Sequence, residues 1–217
     1  MSLLTREKVE QAIGILEEKE IDLWLTFVRE TSASGDPVLP LIYGDADLTW
    51  QSALILTRTG ERIAIVGRFD AETARNIGAY QTVIGYDESL RLELLPILER
   101  LDPGRIALNY SADDVLADGL SHGLYQVLIG YLDDSLFADR VVSAEGVIRA
   151  LRGRKTPGEV SRIRAAVETT RRIYERVFSF VEPGMTEIEI GDYMQVQLEE
   201  FGVGPAWHAG HCPTVNA

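Results

Sequence analysis

The sequence predicts a mixed α/β domain over roughly the first 140 residues, followed by two consecutive helices. Apolar runs of strand length alternate with stretches whose apolar residues recur every three or four positions, which is the pattern of an α/β sheet with flanking helices. The charge then changes sign along the chain, because residues 1–139 carry a net charge of −13 and residues 140–176 a net charge of +6. These two observations divide the protein into an acidic first region and a second region that begins with a basic segment.

The first elements follow from periodicity. Residues 6–19 place Val9, Ile13 and Leu16 on one side of a predicted helix, and residues 21–28 form an apolar run of strand length. Residues 29–51 are rich in glycine and proline and predict a long irregular connection. Because long connections in compact domains are often functional or form interfaces, this connection is a candidate for either role.

The remaining elements of the first region alternate between strand and helix. A glycine turn at Gly60 joins two predicted strands into a hairpin. The predicted elements are strands at 52–57 and 62–66, a helix at 70–77, a strand at 82–86, a helix at 89–101, a strand at 105–109, a helix capped by Ser111 with Leu116, Leu120, Leu124 and Leu128 at helical spacing, and a strand at 137–142. The alternation predicts a mixed sheet.

The segment 149–159 predicts the start of a long helix. Thr156 is a good N-cap, Pro157 suits the first helical position, and Glu159 is placed to complete a capping box. The arginines around it favour either a phosphate-binding patch or a helix that meets an acidic surface. In an acidic protein we favour the second interpretation, with the first region supplying the acid.

Two helices are predicted after this junction. The first runs to Glu182 before Pro183, and its apolar residues alternate in steps of three and four along one face. That face is formed by Val160, Ile163, Val167, Thr170, Tyr174, Val177 and Val181. A second capping box, Thr186 with Glu189, predicts another helix that runs to about residue 201 and is ended by Gly202.

Composition excludes several classes of protein. The chain has 46% hydrophobic and 25% charged residues, which is ordinary for a globular protein, and no apolar run long enough to span a membrane. The overall acidity argues against a partner nucleic acid. The N-terminus has no signal-peptide pattern, and the single cysteine, Cys212, fits a reducing compartment, so we expect a cytoplasmic protein without membrane association.

Only one segment gathers possible metal ligands, and it is incomplete as a zinc site. It contains His208, His211 and Cys212, whereas zinc sites need three or four ligands and the third histidine, His122, is distant in sequence. We interpret the segment as a loop or a pocket wall, with Trp207 either a packing residue or part of that wall. No complete catalytic site is found from residue spacing alone.

Five short segments follow one another along the second half of the chain: Ala117-Asp118-Gly119-Leu120 with His122-Gly123, Val142-Ser143-Ala144-Glu145, Leu151 to Glu159, Glu182-Pro183-Gly184-Met185-Thr186-Glu187, and Gly204-Pro205-Ala206-Trp207. In this order they resemble the creatinase/Xaa-Pro dipeptidase family, which includes aminopeptidase P and prolidase. A single segment of this kind would be weakly specific, but five in order across about 100 residues form a specific signature. The resemblance covers the whole chain.

The resemblance implies a fold and a division into domains. Residues 1–143 are expected to form the family's creatinase-like N-terminal domain, a ribonuclease-H-like mixed sheet with flanking helices. Residues 144–217 are expected to form a linker helix and the first helices of a truncated pita-bread peptidase domain. The N-terminal domain of the family takes part in subunit association, so the resemblance also implies a homodimer formed through this domain.

The resemblance further implies metal-dependent hydrolysis of the peptide bond before proline in a full-length protein. Peptidases of the family use two divalent ions, manganese or cobalt, held by two Asp, one His and two Glu, to activate a water molecule. These ligand motifs follow the stretch similar to residues 212–217. We therefore assign no catalytic residue and no metal ligand, and we expect no cofactor in this chain and no activity from it alone. Trp207, His211 and Asn216 are candidate residues for binding a proline-containing peptide.

Two other functions remain open from the sequence. The chain could act as a non-catalytic domain for subunit association or partner binding, with its helix pair docking another chain. It could also belong to a metal-free hydrolase that cleaves a C–N bond as creatinase does. The coding sequence beyond residue 217 distinguishes these alternatives.

Overall fold

Six strands form one sheet in the N-terminal part of the chain, as seen in a computed structural model that describes residues 2–133 and 135–215. The strands are β1 (Leu23–Val28), β2 (Ser52–Thr57), β3 (Arg62–Gly67), β4 (Thr82–Tyr86), β5 (Ile106–Leu108) and β6 (Val141–Ser143). The α-helices are α1 (Ser2–Glu18), α2 (Leu39–Ile42), α3 (Ala71–Ile77), α4 (Leu90–Leu101), α5 (His122–Leu132), α6 (Glu145–Gly153), α7 (Pro157–Phe180) and α8 (Glu187–Glu200). None of these helices is both long and apolar enough to cross a membrane.

The sheet is mixed, and its strand order is β4-β3-β2-β1-β5-β6. Strand β2 runs antiparallel to both of its neighbours, while β4 pairs parallel with β3, and β5 pairs parallel with β1 and β6. All strands except β2 therefore run in the same direction. The predicted fold class, a mixed α/β sheet with flanking helices, is confirmed.

Helices cover both faces of the sheet. Along β1, Leu23, Leu25 and Phe27 belong to the core on the side of α4 and α5, and Trp24 belongs to the core on the side of α1 and α6. Every residue of β1 and β2 is buried. A sheet covered on both faces gives strands that are apolar throughout, which is why these strands appear in the sequence as continuous apolar runs.

The long connection between β1 and β2 is fixed by a buried polar network. The indole Nε1 of Trp24 donates to Asn109 Oδ1 at 2.6 Å, and Asn109 Nδ2 donates to Asp36 Oδ2 at 2.7 Å. The other oxygen of Asp36 accepts from the backbone N–H of Val38 at 2.9 Å. Burial raises the pKa of the Asp36 carboxyl, the hydrogen bonds partly offset this, and the nearby charge of Asp118 adds to it.

Two predicted elements are wrong in their extent. The helix predicted from Ser111 through Leu128 is interrupted: a 3₁₀ helix spans Val115–Ala117, and α5 begins only after Ser121, which caps it. The break lies at Gly119, where an added Cβ would lie 2.1 Å from Asp36 Cγ. Tertiary packing of the buried aspartate against this glycine therefore overrides the helical spacing of the leucines, and Leu116 is exposed.

The strand predicted at 137–142 is also shorter and later than expected. Residues Ala138–Arg140 form a 3₁₀ helix, and only Val141–Ser143 pair with β5. Arg140 explains the difference, because its guanidinium donates to Asp102 Oδ1 at 2.6 Å and to Pro103 O at 3.0 Å. These contacts hold the chain outside the sheet until β6 begins.

The chain divides into two compact units, Met1–Gly158 and Glu159–Ala217. Helix α6 lies in the first unit, where Val147, Ile148 and Leu151 join the core that also contains α1. The second unit contains α8 and most of α7. The domain boundary predicted at residue 143 stays a prediction. The boundary between the two compact units lies after residue 158.

Candidate functional site

The junction signature in the sequence corresponds to a contact between α1 and the end of α6. The side chain of Lys8 is buried, and its Nζ donates to Leu151 O at 2.7 Å and to Arg154 O at 2.8 Å. The last carbonyls of a helix have no partner within the helix, and a cation near them also interacts favourably with the helix dipole. Lys8 therefore caps α6 from a position more than 140 residues away in sequence.

Carboxylates of α1 complete this contact. Glu7 accepts from the backbone N–H of Gly158 at 3.1 Å, in the first turn of α7, and an added Cβ at Gly158 would lie 2.6 Å from the same carboxylate. Glu18 accepts two hydrogen bonds from Arg154, at 2.5 and 2.8 Å, and this hydrogen bonding lowers the pKa of Glu18. The expectation that the first region supplies the acid is confirmed for Arg154. It is wrong for Arg171, Arg172 and Arg176, which pair with glutamates of α7 and α8.

Sequence reasoning missed Glu7 and Lys8. A signal for Lys8 was present, because Lys8 stands in helical spacing with the buried residues Thr5, Ala12 and Ile15. A lysine in a buried stripe needs a hydrogen-bonding partner, and it therefore indicates a tertiary contact. The identity of the partner could not be read from the sequence, since the partner carbonyls belong to the backbone.

Two of the three candidate peptide-binding residues lie together on the surface of the second unit. Trp207 Nε1 donates to His211 O at 2.8 Å, next to a 3₁₀ helix at Ala209–His211. Trp207 is 61% exposed, and His211 is exposed as well. Gln195 of α8 holds this segment by donating to Ala209 O at 3.3 Å. Asn216 lies outside the described residues, so the proposed binding role of the three stays a prediction.

The histidine and cysteine segment does not form a metal centre within the described residues. The rings of His208 and His211 are 5.7 Å apart, and His208 Nδ1 accepts from the backbone N–H of Gly210 at 3.2 Å. A nitrogen that accepts a hydrogen bond in this way is engaged with the backbone. Over residues 2–133 and 135–215, no group of three or more His, Cys, Asp or Glu is arranged to hold a metal ion.

A cavity of about 610 Å³ lies beside α7 and α8 in the second unit. The rings of Phe180 and Tyr193 stack at 3.8 Å, and the guanidinium of Arg176 lies 4.6 Å from the ring of Phe201. Arg176 also donates to Gln197 at 2.6 Å and to Glu200 at 2.7 Å. With its donors directed to neighbours on α8, this arginine connects the two helices.

The fold of this chain is similar to those of several solved structures, although its sequence matches no family model. No protein-family model matches the sequence, and no curated protein matches it. Among solved structures, the chain is similar to an Xaa-Pro dipeptidase from Bacillus anthracis, with a TM-score of 0.58 and 16% identity, over 91% of this chain and 49% of that one. It is also similar to an X-Pro aminopeptidase from Thermotoga maritima, with a TM-score of 0.56 and 19% identity, over 91% of this chain and 50% of that one.

A dipeptidase from Mycobacterium ulcerans gives a similar result, with a TM-score of 0.55 and 19% identity over 92% of this chain and 50% of the other. The fold of this chain is therefore the one seen in these Xaa-Pro dipeptidase and aminopeptidase structures, as the sequence resemblance implied. More specifically, the chain spans about half the length of these structures. At these identities the likeness establishes the fold alone.

Proposed function

We propose that this chain is the N-terminal portion of a metal-dependent Xaa-Pro peptidase, which hydrolyses the peptide bond before proline. The observation that supports the proposal is the fold likeness to Xaa-Pro dipeptidases over 91% of the chain, together with the five ordered sequence segments. The share of those structures that is covered, 49%, leaves room for a catalytic half. As part of the proposal the protein is cytoplasmic, on the evidence of its cysteine usage.

The described residues do not fit the two divalent ions that the proposed activity requires. Such a site needs several carboxylates and a histidine converging on the ions, and no cluster of this kind occurs within residues 2–133 and 135–215. No catalytic step is therefore assigned to a side chain of this chain. Its proposed contribution is to hold the end of α6 through Lys8 and the first turn of α7 through Glu7, and to present Trp207 and His211 for peptide binding.

Sequencing the coding region beyond codon 217 tests the proposal. An in-frame continuation with two Asp, one His and two Glu in the family's order supports it. A continuation without these ligands favours the metal-free, creatinase-like hydrolase instead. A stop codon directly after codon 217 contradicts the proposal and favours a domain for subunit association.

An activity assay gives an independent test. The purified 217-residue chain is expected to give no hydrolysis of an Xaa-Pro dipeptide with Mn²⁺ or Co²⁺, whereas the extended protein is expected to hydrolyse it and to lose activity with a chelator. Turnover by the 217-residue chain above that of a buffer control would show that the catalytic site lies within it. Stoichiometric tight metal binding to this chain in calorimetry would contradict the assignment of no metal ligands.

Subunit association is a second function that one observation favours. Helix α7 carries large apolar side chains that the second unit leaves exposed, including Ile163, Val167 and Phe178. Exposed apolar patches commonly mark interaction sites. We expect the 217-residue chain to self-associate in light scattering at high concentration, and Val167→Glu to shift it towards the monomer. The same degree of association in the variant, or a monomeric wild-type chain, would argue against this role for α7.

A further inference from the structure

A cavity of about 760 Å³ lies at one edge of the sheet in the first unit. Its walls come from the residues that follow β1 and β4 and from those that precede β2. Ligands of open α/β sheets commonly bind outside the carboxyl ends of parallel strands, where both β1 and β4 end. The volume lies within the range of about 300–1,000 Å³ that is usual for small-molecule sites.

The floor of this cavity is held rigid by Gln51. Tyr86 Oη donates to Gln51 O at 2.8 Å, and Tyr131 Oη donates to Gln51 Oε1 at 2.6 Å. Burial raises the pKa of Tyr86 to about 12, with the neighbouring Tyr131 and Asp70 adding to it, so its hydroxyl stays a donor at neutral pH. With its side-chain oxygen held by Tyr131, the amide nitrogen of Gln51 can offer N–H donors to a ligand.

An aromatic wall stands next to this floor. The ring of Trp50 lies 5.6 Å from the ring of Tyr86 and meets the ring of Phe69 edge-on at 6.0 Å. The indole packs directly over Gly67, where an added Cβ would lie 2.9 Å from it. Contacts on three sides therefore fix Trp50, and a wall that is already ordered lowers the entropic cost of binding an apolar group.

Unpaired charges of both signs line the same cavity. Arg29, Glu30 and Glu88 have no ion-pair partner in the part of the chain that the structure describes, whereas the adjacent Asp87 pairs with Arg68 at 3.1 Å. Glu30 also has a φ of 45°, in the left-handed region that side chains other than glycine rarely adopt. Hydrogen bonds of its backbone N–H to Thr49 O and of two following N–H groups to its own carbonyl hold it there.

We propose that this cavity binds a small zwitterion with an apolar side chain, namely a free amino acid. Arg29 and the amide of Gln51 supply donors for a carboxylate, Glu30 and Glu88 supply acceptors for an ammonium group, and Trp50 supplies an apolar surface. Glu30 and Glu88 repel polyanions, and a simple cation would leave Arg29 without a partner. The proposal does not depend on the peptidase function proposed above, so either can fail without the other.

Titration of the ¹⁵N-labelled 217-residue chain with L-phenylalanine tests this site. The side-chain amide resonances of Gln51 and the indole resonance of Trp50 are expected to shift saturably. Two matched ligands isolate the charges: phenethylamine has no carboxylate, and 3-phenylpropionate has no ammonium group. Each is expected to bind at least about tenfold more weakly, because each loses one set of charge-assisted hydrogen bonds. Equal affinity for phenethylamine and phenylalanine would overturn the zwitterion assignment.

Matched variants locate the binding on the protein. Arg29→Gln is expected to weaken phenylalanine about tenfold and to leave phenethylamine unchanged, since only the first ligand carries the carboxylate that Arg29 binds. Arg58→Gln is the control, because Arg58 is paired with Asp22 outside the cavity lining. Dispersed spectra of both variants establish that they fold. An unchanged affinity in Arg29→Gln, or no shifts with phenylalanine at about 10 mM, would overturn the proposal.

Discussion

The two units of the chain differ in how much apolar surface they cover by themselves. In the first unit, helices on both faces bury every residue of β1 and β2. In the second unit, the buried side chains among residues 159–215 are those of Ile173, Val177 and Gln197. Phe27 of β1 is 1% exposed, while Phe178 of α7 is 76% exposed.

The two units therefore obtain their secondary structure in different ways. The strands of the first unit depend on tertiary burial, since an isolated strand has no hydrogen-bonding partner of its own. The helices of the second unit rest on local signals such as the capping box of Thr186 and Glu189 and the ion pairs of Arg171 with Glu168 and Glu175. Substitutions of large apolar residues should therefore lower the free energy of unfolding more in the first unit than in the second.

The largest expected effect is the loss of a core aromatic residue. Phe27→Ala is expected to lower the free energy of unfolding by about 4 kcal/mol, because it removes a buried ring and leaves a cavity. Phe178→Ala makes the same chemical change in the second unit and is expected to cost less than about 0.5 kcal/mol. Urea denaturation followed by circular dichroism measures both. Equal losses would show that α7 is buried in solution and would remove the contrast between the units.

The contact at the junction should give the next largest effect. Lys8→Met keeps the volume of the side chain but leaves the carbonyls of Leu151 and Arg154, at the end of α6, without this donor, and we expect it to cost about 3 kcal/mol. Tryptic cleavage after Arg154 and Lys155 should become faster as the segment loosens. Lys19→Met is the control, because Lys19 follows the last residue of α1. Unchanged proteolysis in Lys8→Met would mean that Lys8 does not hold this segment.

Much of the fold could be predicted from the sequence, and the errors have a common cause. The hairpin of β2 and β3 and the start of α7 at Pro157 depend on turn and capping residues that act over a few positions, and both are found as predicted. The helix from Ser111 was wrong because Gly119 packs against Asp36, a residue more than 80 positions away. Local patterns predict helices and strands well except where contact with a residue distant in sequence favours another backbone conformation.

The candidate sites could be predicted less well from the sequence, for the same reason. The connection at 29–51 could be marked as functional from its length, but its two ends face each other only because β1 and β2 are neighbours in the sheet. Nothing near Trp50 in the sequence indicates that Tyr131 and Glu88 line the same cavity. Charges of opposite sign that converge across a cavity leave no periodic trace in the sequence.

A smaller effect is expected from the buried carboxylate of the first unit. Burial raises the folded-state pKa of Asp36 above its unfolded value, so the folded protein binds more protons between the two values and stability falls as the pH rises through this window. The unfolding free energy of wild type relative to Asp36→Asn should therefore increase as the pH is lowered from 7 towards 4. Each unit of pKa contributes on the order of 1 kcal/mol.

Asp22→Asn serves as the control for this pH series, because Asp22 is only partly buried and pairs with Arg58 at 2.9 Å. Urea titrations at several pH values give the two differences. A difference for Asp36→Asn that stays constant with pH, or that changes in the opposite direction, would show that the carboxylate is not held in an environment that disfavours its charge.

The smallest expected effect tests whether the second unit depends on local signals. Thr186 Oγ1 accepts from the backbone N–H of Glu189, and the Glu189 carboxylate accepts from the N–H of Thr186 at 2.7 Å. Thr186→Ala removes half of this box and should cost about 0.5 kcal/mol, with faster hydrogen exchange confined to the first turn of α8. Thr186→Ser should restore wild-type exchange. If exchange instead rose throughout α8, the helix would depend on its cap for its whole length, and the second unit would contribute even less packing than its exposure indicates.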